Sequence, residues 1–310
     1  MEQIEFKVVE APETAKKFWD LFSPHISIDD EWNFRYIWGK YLDLPLHFIV
    51  GFHNDKPIGL LALQRNPLKG LGPRLLEMNK PFLEFFGGVD TDDNKVFLAP
   101  GYEEDALQFL EQIHEPAVLT SLSQQYSVGE TVSTFYLDRF AVDLNGITDF
   151  NSYIDLHMTG KTRRNVKHAL RSSKMDQFEV EIQNGDKNDL DLLFQFSINR
   201  FGEESSFHFE DRIKAYGEFF NHFKVDIFKI VLNNEVKAVV YGIIHNNIYT
   251  GINIGYDSEI AYFSKFIFTS TIERAIKLGC QTYDAGQGDN GWKLRLHLSH
   301  VPQYKLSLNL

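Results

Sequence analysis

The sequence predicts an α/β protein in which mixed sheets are flanked by helices and two halves repeat one plan. Residues 48–62 (FIVGFHNDKPIGLLA) read as strand, polar turn, strand, and residues 228–242 (FKIVLNNEVKAVVYG) repeat that order. Each copy follows a segment of helical periodicity, residues 29–41 and 188–200, and precedes another helix, residues 103–113 and 264–277. Between the copies stands the turn-forming stretch 143–147 (DLNGI), with no low-complexity linker beside it. The expected division is therefore 1–145 and 146–310, with the halves packed tightly.

The end of the second half is the most detailed part. Residues 248–256 (IYTGINIGY) are rich in Ile, Thr and Tyr and predict a strand. Ile267, Ile272, Ala275 and Ile276 recur at helical spacing, with Ser264 as the expected N-cap and Gly279 at the position of a C-terminal glycine cap. Residues 280–284 (CQTYD) return as a short strand. Strand, loop, helix and strand make a βαβ unit whose helix N-terminus suits an anion.

Residues 283–293 (YDAGQGDNGWK) follow. Gly286, Gly288 and Gly291 have the spacing of a dinucleotide fingerprint, but that motif opens a helix inside a βαβ unit. Here only 19 residues follow Gly291. After Trp292 they run KLRLHLS, whose alternation predicts a strand with Lys293, Arg295 and His297 on one face. His297 and His300 then point apart, so no metal pair is expected. The glycines permit a sharp turn or close approach to a ligand, with Asp284 and Lys293 on either side.

Composition narrows the class. At 310 residues, 43% hydrophobic and 14% aromatic, the chain can build one large or two ordinary cores. The longest clean apolar run, residues 238–244, is far below the roughly 18 residues of a membrane span. The amino terminus has acidic residues and no apolar core, which predicts no secretory signal and a cytoplasmic protein. Cys280 is the only cysteine, excluding an internal disulfide and a cysteine-based zinc cluster. A net charge of −12 opposes bulk nucleic-acid binding. Against it, residues 161–174 hold six cations, and Arg164, Lys167, Arg171 and Lys174 make one stripe if helical. That stripe is either a solvated face, a contact for a phosphate-bearing substrate, or a contact for RNA.

Several pieces in this order resemble the BioF2-like (CelD/BcsL) branch of the GNAT acyltransferase superfamily, kin of the FemAB aminoacyltransferases. They are Lys161-x-Arg163-Arg164-Asn165, Tyr262 with Ser264, Gly279, and Asp284-x-Gly286-x-Gly288 with Lys293. The first half adds Phe86-Gly87-Gly88, then residues 97–101 (FLAPG) and an acidic helix, so the resemblance covers nearly the whole chain. It implies tandem GNAT-like domains and acyl transfer from acyl-CoA to a small amine or amino sugar, with no metal. The resemblance places Tyr262, Ser264, Gly286, Gly288, Arg164 and Lys167 at the donor site and makes Asp284 and Lys293 the catalytic candidates. Parted parallel strands would offer backbone N–H groups to the thioester carbonyl. One departure is the loop 257–266 (DSEIAYFSKF), which lacks the glycine that such enzymes keep before the long helix. Two alternatives stay open: a Fem-like transferase using aminoacyl-tRNA on a cell-wall precursor, and a non-catalytic binding protein of this fold.

Overall fold

The computed structural model describes residues 4–68, 80–158, 160–161, 163–164, 178–260, 263–288 and 291–310. Tyr262, Lys167, Arg171 and Lys174 lie outside the described residues. The chain forms two compact units, Met1–Asp138 with Val301–Leu310, and Arg139–His300. No helix among the described residues is long and apolar enough to cross a membrane.

The first unit runs β1 (Glu5–Val9), α1 (Pro12–Phe22), α2 (Trp32–Leu42), β2 (Leu46–His53), β3 (Lys56–Asn66), β4 (Phe82–Phe85), β5 (Phe97–Leu98), α3 (Ala106–Leu110) and β6 (Ala117–Leu122). A small hairpin, β7 (Ser127–Val128) with β8 (Thr131–Val132), leads to β9 (Thr134–Asp143). Turn residues Asn54 and Asp55 have φ of 49° and 61°, the left-handed pair that a two-residue hairpin turn requires. Neighbouring residues of the hairpin bury on opposite faces. Phe48, Leu60 and Ala62 pack with Trp19 and Phe86, while Ile49, Leu61 and Leu63 pack with Phe109 and Leu119. Both faces being covered explains why these strands read as near-continuous apolar runs.

The second unit contains α4 (Phe150–His157), β10 (Val180–Asn184), α5 (Leu190–Phe201), α6 (Glu210–Phe219), β11 (Lys224–Leu232), β12 (Glu235–His245), β13 (Ile248–Tyr256), α7 (Phe263–Lys277) and β14 (Thr282–Gln287). Two further left-handed pairs, Asn233-Asn234 and Asn246-Asn247, turn the chain between β11, β12 and β13. The helix α7 begins at Phe263, so Ser264 lies in its first turn and not at the N-cap. Its other end is as expected: Gly279 has φ 73° and the Cys280 N–H reaches back to the Ala275 carbonyl at 3.0 Å.

The strand β15 (Ser299–Leu308) completes the first unit. It pairs antiparallel with β6 through Leu306↔Leu119 and Leu308↔Ala117. The first unit's order is thus β1-β2-β3-β4-β6-β15, and the second unit's is β10-β11-β12-β13-β14-β9. In each, among the described residues, the parallel neighbours in this order are the fourth and fifth strands, β4 with β6 and β13 with β14. The fold is mixed α/β, and the repeat seen in the hairpins extends to six strands.

Two expected boundaries shift. The units change at residues 138 and 139, inside β9, and the last ten residues belong with the first unit because their hydrogen bonds go to β6. The stretch 143–147 is a turn, with the Asn145 N–H on Asp143 Oδ1 at 2.9 Å and Gly146 at φ 75°, but it lies within the second unit.

Candidate functional site

In the second unit, β13 and β14 pair over three residues only: Ile248↔Thr282, Tyr249↔Tyr283 and Thr250↔Asp284. Neither strand stops there, since β13 continues to Tyr256 and β14 to Gln287. Two bulges at this level account for the parting. Against β12, Tyr241 pairs with Asn253 and Gly242 with Gly251, which leaves Ile252 as an extra residue in β13. Against β9, Asp284 pairs with Ala141 and Gly286 with Phe140, which leaves Ala285 extra in β14. A bulge bends its own strand and ends regular pairing, and here one lies on each side of the same opening.

The opening is firmly founded. A Cβ on Gly242 would lie 2.5 Å from the Tyr249 hydroxyl, so only glycine fits opposite that ring. The Tyr249 hydroxyl donates to Asp226 Oδ2 at 3.2 Å, and Arg274 of α7 binds Asp226 Oδ1 at 2.7 Å. Burial, with Asp226 beside it, pushes the Tyr249 hydroxyl well above its usual range, so it stays a donor. The sheet and α7 are thereby tied beneath the opening.

On the β14 side, Asp284 uses both carboxylate oxygens. Oδ1 accepts the Gly286 N–H at 2.9 Å, and Oδ2 accepts the guanidinium of Arg139 on β9. Gly286, Gly288 and Gly291 have φ of 66°, 70° and 80°, a region where side chains are strained. The buried Lys293 ammonium donates to the carbonyls of Gly286 at 2.9 Å and Gln287 at 2.8 Å. It also lies 5.2 Å from the Phe140 ring centre. Trp292 stacks on Phe268 of α7 at 3.5 Å, pinning the return of the loop to the helix.

Asp284, Gly286 and Lys293 are therefore brought together, and Gly288 extends the same turn. Ser264 stands one helical turn before Phe268. Arg164 is exposed. Lys293, Arg295 and His297 do not share a strand face, a correction to the alternating pattern. Leu294–Leu296 is a 3-10 turn, and His297 is left-handed at φ 59°. The Leu296 N–H closes on the Trp292 carbonyl, and the Leu298 N–H closes on the Lys293 carbonyl. Alternation came from three leucines of which one, Leu294, is exposed. Arg139 was missed because its partner is 145 residues away. The bulges had a signal: Gly242 and Gly251 are isolated glycines inside strand patterns.

The matching place in the first unit is taken up by its own chain. β4 and β6 meet at Leu83↔Ala117, and beyond it Asn94 bridges to Leu122, with its N–H on the Ser121 carbonyl at 3.0 Å. Buried Arg35 grips the Phe86 carbonyl, Asn94 Oδ1 and the Asp93 carbonyl. Gly87, at φ 94°, donates to Gln64 Oε1. A separate concavity of about 430 Å³ in this unit is lined by Glu10, Tyr36, Lys40 and Arg65, among others, and includes none of the residues above. Among the described residues, no group of three His, Cys, Asp or Glu side chains is placed to hold a metal.

Residues 160–294 match the family described as Acetyltransferase (GNAT) domain. Among curated proteins, none matches the sequence. The fold is similar to that of L-PGS from Bacillus licheniformis, at 11% identity and TM-score 0.54, covering 96% of this chain and 91% of that one. FemX is similar at 10% identity and TM-score 0.53, with 98% of each chain covered. A tandem GNAT protein from the clavulanic acid biosynthesis pathway is similar at 8% identity and TM-score 0.52, again with 98% of each covered. These likenesses establish a GNAT-type fold in tandem.

Proposed function

We propose that this protein is an N-acyltransferase that moves an acyl group from acyl-CoA to the amine of a small molecule or amino sugar, at the opening between β13 and β14. The carrying observation is that two parallel strands part immediately after Thr250 and Asp284, between two facing bulges. Strands that separate in this way leave backbone N–H groups without a strand partner, at a place an acyl carbonyl can approach. Such donors stabilise the oxyanion that forms when an amine attacks a thioester. The rest of the task is orientation and loss of the ammonium proton, with no covalent enzyme intermediate.

Within this reading, Asp284 and Lys293 hold the turn at Gly286 in shape. Because the Asp284 carboxylate is already bound by Arg139 and the Gly286 N–H, we assign it orientation and not proton transfer. Ser264, Tyr262, Gly286 and Gly288 are proposed to border the donor, with Arg164 and Lys167 nearby in the basic segment. The donor domain is the second unit, since the matching place in the first is occupied by Asn94 and its neighbours.

Calorimetry with acetyl-CoA and longer acyl-CoAs tests this reading, and binding below millimolar concentration is expected. A second reading, aminoacyl transfer from tRNA to a cell-wall precursor, is favoured by the glycine-free loop 257–266 and by the fold likeness to FemX. Failure to bind any thioester together with binding of aminoacyl-tRNA would select it. Failure of both would leave a non-catalytic binding protein.

A further inference from the structure

The helix α5 approaches β13 so closely that a Cβ on Gly255 would sit 2.4 Å from the Leu193 carbonyl oxygen and 3.0 Å from its Cα. Both are backbone atoms, so helix and strand are locked in register there. Seven residues beyond Leu193, Arg200 occupies the last turn of α5. Its guanidinium lies 4.7 Å over the ring of Tyr256, the last residue of β13, and 4.8 Å over the ring of Phe201. The Tyr256 ring in turn meets that of Phe263, the first residue of α7, edge-on at 6.2 Å. Arg200 is thus fixed beside the segment that joins β13 to α7.

That segment is the one with no glycine. Without a glycine in its sequence, the segment lacks the residue type that lets a phosphate approach a backbone most closely. A stacked guanidinium does not share that limit, because its face rests on the rings while its edge keeps a planar fork of N–H donors for an anion. Among the described residues, the two rings are the only partners of Arg200.

We infer that Arg200 recognises a phosphate of the acyl donor, taking over the grip that a glycine-rich loop supplies elsewhere. The inference rests on the acyl-transfer reading and adds a specificity-determining residue to the same site. It predicts that a phosphate of coenzyme A is held by the last turn of α5, beside Tyr256.

The experiment measures binding of coenzyme A, and of pantetheine, which is the same thiol arm without phosphates, to the full chain and to Arg200→Ala and Arg200→Lys. Loss of a charge-assisted contact should weaken coenzyme A about ten- to a hundredfold in Arg200→Ala while pantetheine is unaffected. Arg200→Lys should recover part of the loss, and the salt dependence of coenzyme A binding should be smaller in Arg200→Ala. Unchanged coenzyme A affinity in Arg200→Ala would overturn the inference and leave the acyl-transfer reading standing. Equal losses for both compounds would also overturn it, since Arg200 would then act through the fold. If the unmodified chain binds neither compound, the acyl-transfer reading fails and takes this inference with it. Binding of tRNA in place of coenzyme A, lost in the same variant, would overturn the coenzyme A assignment.

Discussion

Asp284 and Lys293 act on the two backbone groups of one residue: Asp284 accepts the Gly286 N–H, and Lys293 donates to the Gly286 carbonyl, each at 2.9 Å. Opposite charges hold a left-handed glycine from both ends, which fixes the rim where β14 leaves the sheet. Each half of that arrangement can be removed separately.

Asp284→Asn keeps an acceptor for Gly286 but removes the charge facing Arg139. Removing one partner of a buried ion pair costs about 3–5 kcal/mol. The partial exposure of Arg139 at 16% places the expected loss toward or below the lower end. Urea denaturation of Asp284→Asn, Arg139→Met and the double variant should show clear non-additivity. Turnover per folded molecule should fall by less than about tenfold. A loss in the range of about 10²–10⁴ would instead make Asp284 a general base.

Lys293→Met preserves the apolar stem and deletes the ammonium. The carbonyls of Gly286 and Gln287 then lose a buried donor, at a cost of about 1–3 kcal/mol. Stability should fall by that amount in denaturant titration, and donor affinity should fall with it. An unchanged midpoint would show that the turn does not depend on Lys293.

Two glycines should respond in opposite directions. Gly255→Ala drives a methyl group into the Leu193 backbone, so α5 must move, at a cost of about 1–3 kcal/mol or more. Gly217→Ala, inside α6, meets only the end of the Lys187 side chain at 3.4 Å. Removing a helical glycine should stabilise the protein by about 0.5–1 kcal/mol. Thermal midpoints of the two variants therefore move apart.

The pH response of stability should include a contribution from His47. Burial first, then the Arg65 charge, holds its imidazole below the usual range, and buried Nδ1 has no hydrogen-bond partner. The unfolded chain takes up this proton near pH 6.5 while the folded chain resists. Protonation thus favours unfolding, and stability falls as pH drops below about 6.5 until the folded group titrates. Comparison of His47→Gln with the unmodified chain between about pH 7 and 5 should show a shallower decline in the variant. Parallel curves would remove His47 from the account.

Local chemistry made much of this fold legible. The Asn-Asp and Asn-Asn pairs announce hairpin turns because these residues tolerate left-handed backbone, and all three pairs adopt it. Gly279 announces the end of α7 for the same reason. Features decided by distant partners were not legible. Arg139 meets Asp284 only once β9 lies beside β14, and nothing local marks it. The leucine alternation after Lys293 misled because the buried ammonium folds its own neighbourhood around nearby carbonyls, and that demand outweighs strand periodicity. The sixth strand of each unit was equally hidden, since β9 and β15 carry no label for the sheet they join.

The placement of β15 sets an order of completion during synthesis. The second unit needs residues 139–300, one unbroken stretch, whereas the first needs residues 301–310 to cover the free edge of β6. On a chain made from its amino end, the earlier unit must wait, with β6 unpaired on that side, until the whole of the second unit has been made. An uncovered strand edge of this kind invites association with other chains. Residues 301–310 therefore act as a closing clasp, and of the two units the one begun earlier is completed later.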